Sequence, residues 1–554
     1  MHTSEPLSHF GNEYLQFLYE SFPTAASSDG MHAHDDRLED LGRSSIDNHG
    51  RELGGYARRL DRISPRSLTA EEQLERRMLA DHIRGQLHEW EELRPWQRDP
   101  RYYANILARS LAGQTMFAHA PVEERARRVV SRLRQAPRLL EAAVANIEQP
   151  PGIFIKNCLE TLGEVSSFIE RDLPRAFRQL EDLHLLGDLA DAASEASDSV
   201  ERFTAHLRDT LAPQSRSTFR LGREQFESRV RYSEGFSIGS DQLLVIAERE
   251  LGRVQARFVE VAAKVDSKKD PMDVWELVKA HHPSAGELIE TVRGQLTDLK
   301  TFIERNAIVG LPDQDEVVLA NSPQSHSSIS PKIWLPGPFE PKPLPTLYHI
   351  TDVGPSWSEE RAEEHLRELN FASLWSMSVR GVYPGRHLLL HHQRNTGESL
   401  LRKSTLFAPS SFVRGWSHYA EQMMVEAGLA RGDSMQELGQ IAGAMLGLAR
   451  MIVSIRLHTE DMSVEQGVRF FCEEAYLEEA RARREAERGT FDQDYAMDSV
   501  GRLTLLKLRG DVETREGSAF SLKSFHDRLL GQGAVPLWLH RMLLLGDAGE
   551  PVLD

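Results

Sequence analysis

The chain has 554 residues, with 66 Lys and Arg against 84 Asp and Glu, which gives a formal net charge of −18. Hydrophobic residues make up 40% and charged residues 27%, a globular composition that argues against a disordered chain. The acidic balance argues against nucleic acid as a partner. Cys158 and Cys472 lie far apart in sequence, which excludes a disulfide framework and a cysteine-based zinc module.

The sequence also shows no signal for membrane insertion. No run reaches the roughly 18–20 consecutive apolar residues of a membrane helix, and Met1–Pro6 lacks the basic start and apolar block of a secretory signal. We therefore expect a soluble cytoplasmic protein with no membrane partner. Its 22 His and 84 acidic residues still allow a His/carboxylate metal site, so the composition leaves that question open.

Apolar residues three and four apart predict amphipathic helices along most of the first 310 residues. The predicted helices are Glu13–Ser21, Ala70–Leu93, Val122–Gln135, Gln135–Ile147, Asp241–Val265 and Ser284–Glu304. The segment Gly187–Leu211, rich in Ala, Ser and Asp, is interpreted as a polar helical hairpin. Together these elements predict an N-terminal helical lobe over residues 1–310.

The character of the sequence changes after residue 310. Short β-prone runs are separated by a Ser-rich and a Pro-rich spacer, and they are Glu316–Ala320, Lys332–Leu335 and Leu347–Thr351. Residues 311–356 are therefore predicted to form a small β-containing insert, and residues 357–554 a C-terminal helical lobe. The predicted fold is mainly α: one large domain over residues 1–554, with two helical lobes around a cleft and a small sheet beside it.

The residues that bear on function lie between Ser376 and Glu426. Two motifs stand there, Arg380-Gly-Val-Tyr-Pro-Gly-Arg-His387 and Arg414-Gly-Trp-Ser-His-Tyr-Ala-Glu421. They resemble a bacterial family numbered 885 among the domains of unknown function, which reads His-Glu-x-Tyr-Pro-Gly-His-His and then Glu-Gly-Trp-x-x-Tyr-Ala-Glu. Further anchors near both ends of the chain, such as Phe520–Asp527, match the family in the same order.

The family looks like helical zinc peptidases of the gluzincin type. The resemblance implies that two His and the later Glu hold Zn²⁺, and that the Glu after the first His is the general base that activates water. With the alignment fixed on Tyr383, these positions are all substituted here. The first His falls on Arg380, the base on Gly381, the second His on Arg386 and the ligand Glu on Arg414. A later Tyr that would stabilise an oxyanion falls on Asp498.

These substitutions predict a protein with no bound metal, no cofactor and no metallopeptidase activity. A guanidinium has no lone pair for a metal and repels a divalent cation, and Gly381 has no side chain to accept a proton. Three enclosed guanidiniums also need anions. Asp494 and Asp498 are internal candidates; a peptide or another small anion in the cleft is the external one. The predicted ligand-binding set is Arg380, Arg386, Arg414, Asp494, Asp498, His387 and Tyr383.

Two other functions stay open on the sequence alone. One is a hydrolase with a relocated metal, since His387 and His391 are spaced i, i+4 on one helix face, with Glu421, His418 or Glu398 as a third ligand. The other is a purely structural or interaction protein. Neither the ligand nor the oligomeric state follows from the sequence.

Overall fold

The computed structural model describes residues 6–235, 237–313, 316–322, 332–397, 399–546 and 553. Residues 1–5, which belong to the segment searched for a secretory signal, lie outside the described residues. So does Glu398, one of the candidate third ligands.

Helices dominate the chain up to residue 305. They are α1 (Leu7–Ser21), α2 (Pro23–Asp29), α3 (Arg43–Arg62), α4 (Ala70–Leu87), α5 (Pro95–Arg98), α6 (Arg101–Met116), α7 (Val122–Asn146), α8 (Gly152–Ser167), α9 (Leu173–Ala176), α10 (Leu183–Ala205), α11 (Arg223–Glu234), α12 (Ser240–Val265), α13 (Pro271–Ala280) and α14 (Leu288–Arg305). The first residues of α4 illustrate how local hydrogen bonds fix where a helix begins. Thr69 and Glu72 exchange side-chain and backbone hydrogen bonds as a capping box.

Two predicted helix breaks are wrong. The break expected near Gln135 is absent, because α7 runs through Pro137. The apolar stripe that includes Leu133 and Leu140 is buried on both sides of that proline, and this packing outweighs the roughly 3 kcal/mol cost of Pro inside a helix. The predicted hairpin at Gly187–Leu211 is instead the single helix α10, continued by a π-helical turn, because Leu189 and Val200 lie on one buried face.

The predicted small sheet is confirmed. Its strands are β1 (Val317–Asn321), β2 (Lys332–Trp334) and β3 (Thr346–Ile350). The order is β1-β3-β2, with β1 parallel and β2 antiparallel to the central β3. Since β3 lies in the middle, it is the most buried of the three strands, and Tyr348 and Ile350 belong to the core.

Helices resume after the sheet and continue to residue 545. They are α15 (Glu359–Glu368), α16 (Phe371–Gly381), α17 (Arg386–Arg394), α18 (Leu400–Lys403), α19 (Ser410–Glu426), α20 (Ser434–Thr459), α21 (Val464–Ala475), α22 (Glu479–Gly489), α23 (Met497–Glu516), α24 (Leu522–Gly531) and α25 (Leu537–Leu545). The mainly α fold with one small inserted sheet is therefore as predicted. The boundaries of the two lobes stay a prediction.

The helix α20 is long and apolar enough to cross a membrane by length and composition, but 78% of its most apolar window is buried inside the protein. It therefore packs as a core helix. The largest hydrophobic cluster joins the N-terminal helices to α20, with Tyr14 and Leu448 fully buried. A second cluster surrounds Trp416 and Tyr419 and packs α19 against α14, the sheet and α23.

Candidate functional site

Two contacts bring the two sequence motifs together. Trp416 on α19 is fully buried, and its indole N–H donates to the carbonyl of Pro384 at 2.8 Å, in the turn between α16 and α17. Gly385 in the same turn approaches Arg380 so closely that a Cβ there would lie 2.0 Å from the carbonyl oxygen of Arg380. Only glycine allows this approach, which places Arg386 beside the end of α16.

A close crossing of α19 and α23 positions Arg414, the first residue of the second motif. A Cβ on Gly501 of α23 would lie 1.7 Å from the carbonyl oxygen of Ser411 on α19, and a Cβ on Gly415 would lie 2.5 Å from the Cα of Gly501. The two glycines therefore let the backbones of α19 and α23 meet without intervening side chains. This crossing places Arg414, next to Gly415, beside Asp498 at the start of α23.

Asp498 is the central anion of the site and is 2% exposed. Its Oδ1 lies 2.6 Å from Nε of Arg414, and its Oδ2 lies 3.4 Å from Nε2 of His418 and 3.8 Å from Nη1 of Arg450. Burial alone would raise the pKa of Asp498, but Arg414 and His418 outweigh it and hold that pKa well below its usual range. Arg414 also lies 3.5 Å from Asp492. The predicted pairing of Arg414 with Asp498 is therefore present.

Arg450 and Glu485 complete the charge network, and the sequence reasoning missed both. The Arg450 guanidinium donates twice to Glu485, at 2.9 and 2.6 Å, besides its contact with Asp498. The sequence does contain a signal, because Arg450 is the one charged residue in the long apolar middle of α20. A lone Arg in such a segment indicates a buried ion pair.

Glu421 is the second buried acid near the motifs and is 4% exposed. Its Oε2 lies 3.3 Å from Nδ1 of His418, and its Oε1 lies 3.7 Å from Nε of Arg380. Burial raises the pKa of Glu421, but Arg380 and His418 reverse this effect and the net pKa is lowered. His418 thus bridges the two buried acids, Glu421 and Asp498.

Arg386 differs from Arg380 and Arg414, which both lie near buried acids. Within the part of the chain that the structure describes, its guanidinium makes no hydrogen bond and no ion pair. Burial lowers the pKa of Arg386, and the charges of Arg380 and Arg414 lower it further, against the opposing effect of Asp498. We call Arg380, Arg386 and Arg414 the arginine cluster. In this cluster the guanidinium of Arg386 has no direct partner among the described residues, whereas Arg380 lies near the buried Glu421 and Arg414 near the buried Asp498.

The sheet forms one wall of the arginine cluster. Burial raises the pKa of Tyr348 on β3 to about 12, although Arg380 and Arg386 oppose the shift, so its hydroxyl stays protonated. Ile333 of β2 approaches the position of Gly381, where a Cβ would lie 3.5 Å from the Ile333 Cδ1 atom. An apolar side chain therefore stands next to Gly381, the position at which the peptidase resemblance leads one to expect a general base.

The other predicted site residues, Asp494, His387 and Tyr383, lie around the arginine cluster. Asp494 accepts a hydrogen bond from Ser410 at 3.0 Å and lies 3.7 Å from Arg229, so it acts on Arg414 only through its charge. His387 is buried, and its Nδ1 lies 2.8 Å from the hydroxyl of Thr346 on β3. Tyr383 packs edge-on against His387, with ring centroids 5.3 Å apart.

The zinc ion that the family resemblance implies does not fit these residues. Arg380, Arg386 and Arg414 stand at the expected ligand positions, and a guanidinium donates no lone pair to a metal. The nearby donors His418, Glu421 and Asp498 are engaged in the charge network. The alternative set of His387, His391 and Glu421 does not bring its ligand atoms within 4.8 Å of one another, as judged over the described residues.

A different cluster meets that distance in the described ranges: His32, Asp35 and His119. Nδ1 of His32 lies 2.8 Å from Asp35, and its Nε2 lies 3.1 Å from Glu340. Asp35 Oδ2 also accepts a hydrogen bond from Arg128 at 2.9 Å, so its charge is already compensated. This arrangement is a charge network that ties the N-terminal segment to α7 and to the loop before β3.

This network predicts a loss of stability at alkaline pH. Burial alone would lower the pKa of His32, but Asp35 and Glu340 outweigh it and raise that pKa to about 9. The stabilisation is complete below the unfolded pKa of about 6.5 and is lost as the pH rises through about 9. We expect unfolding free energy to fall by on the order of 1–2 kcal/mol between pH 6.5 and 9.5. Thermal melts at both pH values measure this fall in stability. The variant His32→Gln should show little of it. An equal fall in that variant would contradict the assignment to His32.

With the geometry established, comparison with known proteins gives the family. A family model described as bacterial proteins of unknown function, DUF885, matches residues 23–542. The chain belongs to the DUF885 family. No curated protein matches it. The family resemblance noted from the two motifs is therefore confirmed, and for this DUF885 member the comparison gives no activity.

Two solved structures share the fold of this DUF885 protein. One is a protein of unknown function from Shewanella oneidensis, provisionally classed as a lipoprotein, with 22% sequence identity and a TM-score of 0.81 over 98% of this chain and 100% of that chain. The other, from Colwellia psychrerythraea and also provisionally classed as a lipoprotein, has 16% identity and a TM-score of 0.79 over 97% and 98%. At these identities the likeness shows the fold alone.

Proposed function

We propose that this DUF885 protein is a non-hydrolytic relative of zinc-peptidase-like proteins that binds the carboxylate of a peptide at Arg386. The observation that carries the proposal is the guanidinium of Arg386, which has no direct partner among the described residues and is repelled by the charges of Arg380 and Arg414. A partly enclosed cation of this kind is costly unless an anion compensates it. An external carboxylate compensates it with two parallel hydrogen bonds.

The acids of the protein that lie near the arginine cluster already pair with other cations. This favours an external anion as the partner of Arg386. Asp498 is shared by Arg414, His418 and Arg450, and Glu421 is shared by Arg380 and His418. Asp494, the remaining candidate anion, contacts Ser410 and Arg229 rather than the arginine cluster. The cluster therefore keeps an excess of positive charge at Arg386.

The sheet suits an extended peptide as the ligand. The strand β2 pairs with β3 on one side, and no other strand in the described ranges pairs with its second side. Such an edge recognises a peptide backbone by adding it as a further strand. Because Ile333 of β2 lies against Gly381, a peptide on this edge would end close to the arginine cluster.

Hydrolysis is not part of the proposal. Gly381, at the position of the general base, has no group to accept a proton, and an apolar Ile333 side chain lies beside it. The two buried acids that contact the arginine cluster, Glu421 and Asp498, have lowered pKa values, so both are poor proton acceptors near neutral pH. The site therefore supports binding rather than catalysis.

Replacing Arg386 with Met tests the proposal. We expect wild-type protein to bind N-acetyl-trialanine about 10–100-fold more tightly than its C-terminal amide, because a bidentate charge-assisted pair contributes about 1.5–3 kcal/mol. Arg386→Met should remove this preference while leaving the protein as stable as wild type or more so, since an unpaired cation is lost. Isothermal titration calorimetry and thermal melts measure the two effects.

Arg483→Met is the matched control. This guanidinium is already paired with Glu465 at 2.6 Å on the surface, so the variant should keep the wild-type preference for the carboxylate. Equal binding of acid and amide by wild-type protein would contradict the proposal and favour a purely structural role. Hydrolysis of the peptide that depends on added zinc and is lost in His387→Ala would instead favour a relocated metal.

The expected cytoplasmic location is not supported by the comparisons, because both solved relatives are provisionally classed as lipoproteins. The proposed ligand chemistry does not depend on location, since peptides with free carboxylates occur on both sides of a membrane.

A further inference from the structure

Arg481 on α22 is a second guanidinium without a direct partner. Within the described ranges it makes no hydrogen bond and no ion pair, whereas Arg483 on the same helix pairs with Glu465 at 2.6 Å. Arg481 is partly exposed, and none of its nitrogen atoms belongs to the fully buried polar atoms that lack a partner. Its guanidinium is therefore accessible to a solute.

The packing of α22 against α20 fixes where Arg481 lies. Glu485 on α22 accepts two hydrogen bonds from Arg450 on α20, and a Cβ on Gly489 would lie 3.0 Å from Cδ1 of Leu457. Since later residues of α22 meet later residues of α20, the two helices run in the same direction. Arg481, four residues before Glu485, therefore lies about 6 Å back along α22, level with the part of α20 that precedes Arg450.

The same part of α20 also lies close to Arg380. A Cβ on Gly443, which is about two helical turns before Arg450, would lie 3.7 Å from Oε1 of Glu421. That carboxylate oxygen also lies 3.7 Å from Nε of Arg380. Arg380 and Arg481 therefore approach one stretch of α20, Arg380 from α16 and Arg481 from α22.

The acids near Arg481 pair with other cations. Glu485 accepts its two hydrogen bonds from Arg450, and Glu368 lies 3.9 Å from Arg484. Burial lowers the pKa of Arg481, and the charges of Glu368 and Glu485 only oppose that shift. A partly enclosed guanidinium in this position is costly unless an external anion compensates it.

Arg380 and Arg386 also donate no hydrogen bond within the part of the chain that the structure describes. Burial lowers the pKa of Arg386 and of Arg481, and the charge of Arg380 lowers both further. Three guanidiniums around Arg380 thus lack a hydrogen bond. Because one carboxylate forms one bidentate pair, such a group of cations favours a ligand with a second negative group.

We infer that Arg481, together with Arg380, binds a second carboxylate of the peptide whose C-terminal carboxylate lies at Arg386, an inference that rests on the proposed function. Arg386 follows Gly385, whose close contact with the backbone of Arg380 keeps these two arginines together. The second carboxylate is the side chain of the C-terminal residue, because that group lies only a few bonds from the terminal carboxylate. The ligand class is thus a peptide that ends in an acidic residue.

Titration calorimetry with a matched pair of peptides tests the inference: N-acetyl-dialanyl-glutamate and N-acetyl-dialanyl-glutamine. We expect wild-type protein to bind the glutamate peptide about 10-fold more tightly, because the added charge-assisted pair forms only with a carboxylate. Arg481→Met should bind both peptides equally, yet still bind the glutamine peptide more tightly than its C-terminal amide. Arg386→Met should keep the preference for glutamate and lose the preference for the free C-terminal carboxylate.

Arg483→Met is the matched control, because it removes the same charge from the same helix but from a guanidinium that is already paired. It should keep the wild-type preference for the glutamate peptide. An equal loss of this preference in Arg481→Met and Arg483→Met would overturn the inference, since the net charge of α22 would then explain the effect. Thermal melts should show Arg481→Met to be as stable as wild type, because its guanidinium has no partner to leave behind.

The remaining outcomes separate the inference from the proposed function. If wild-type protein binds the glutamate and glutamine peptides equally but discriminates acid from amide, the second carboxylate site is overturned and the proposed function stands. If it prefers glutamate in a way that depends on Arg481 but binds acid and amide equally, the site at Arg386 is overturned and Arg481 remains an anion site. Absence of binding by all these peptides overturns both.

The position of the acidic residue provides a final check. N-acetyl-glutamyl-dialanine carries the same charge as the glutamate peptide but places its side-chain carboxylate two residues away from the C-terminus. We expect it to bind no more tightly than N-acetyl-trialanine. Affinity equal to that of N-acetyl-dialanyl-glutamate would overturn the assignment of the second carboxylate to the C-terminal residue.

Discussion

Replacing Asp498 with Asn is expected to lower the free energy of unfolding by about 3–5 kcal/mol. The carboxylate is buried and is shared by Arg414, His418 and Arg450. Asn keeps the size of the side chain but removes the charge, so these cations would be left with too little compensation in a buried site. Urea unfolding of wild type and variant, followed by circular dichroism, measures the difference.

An exposed ion pair provides the control for Asp498→Asn. Glu465 lies 2.6 Å from Arg483, and its side chain is 62% exposed. Glu465→Gln should therefore cost no more than about 1 kcal/mol. If both variants lost the same small amount, Asp498 would not be the central anion of the network, and the claim that internal acids are fully engaged would fail.

Replacing Gly501 with Ala should also be strongly destabilising, with a loss of about 3 kcal/mol in the free energy of unfolding. The added Cβ would lie 1.7 Å from the carbonyl oxygen of Ser411, and a backbone atom of α19 cannot move aside as a flexible side chain does. The helices α19 and α23 would have to separate, which also pulls Arg414 away from Asp498. We expect the variant to bind N-acetyl-trialanine more weakly and to unfold at lower urea concentration.

Gly510 on the same helix is the matched control. It lies on the exposed face of α23, and a Cβ there would have nothing within 4 Å. Gly510→Ala should stabilise the protein by roughly 0.5–1 kcal/mol, because Gly is a poor helix residue. A similar response at both positions would mean that helix propensity, rather than the close crossing of α19 and α23, determines the effect.

The fold followed from the sequence where local patterns decide it. Period-3.6 patterns located the long helices α1, α4, α7, α12 and α14, and β-prone runs between Ser and Pro spacers located the three strands within one residue. The break near Pro137 and the hairpin at residues 187–211 were wrong, because burial of a continuous apolar face overrode local breakers and polar composition. Local signals cannot show how much burial a neighbouring helix will supply.

The site followed from the sequence only in part. Motif alignment located Arg380, Arg386 and Arg414, and the pairing of Arg414 with Asp498 could be predicted from their opposite charges. The partner of Asp494 could not be predicted, because α11 brings Arg229 to it from a distant part of the chain.

The central claim is that an anion, rather than a metal, occupies the arginine cluster. A crystal structure of protein prepared without chelator, supplied with zinc and N-acetyl-trialanine and measured at the zinc absorption edge, tests it most directly. The account predicts the peptide carboxylate within hydrogen-bond distance of Arg386 and no anomalous peak among Arg380, Arg386 and Arg414. A zinc peak within that cluster, or a carboxylate bound away from Arg386, would contradict it.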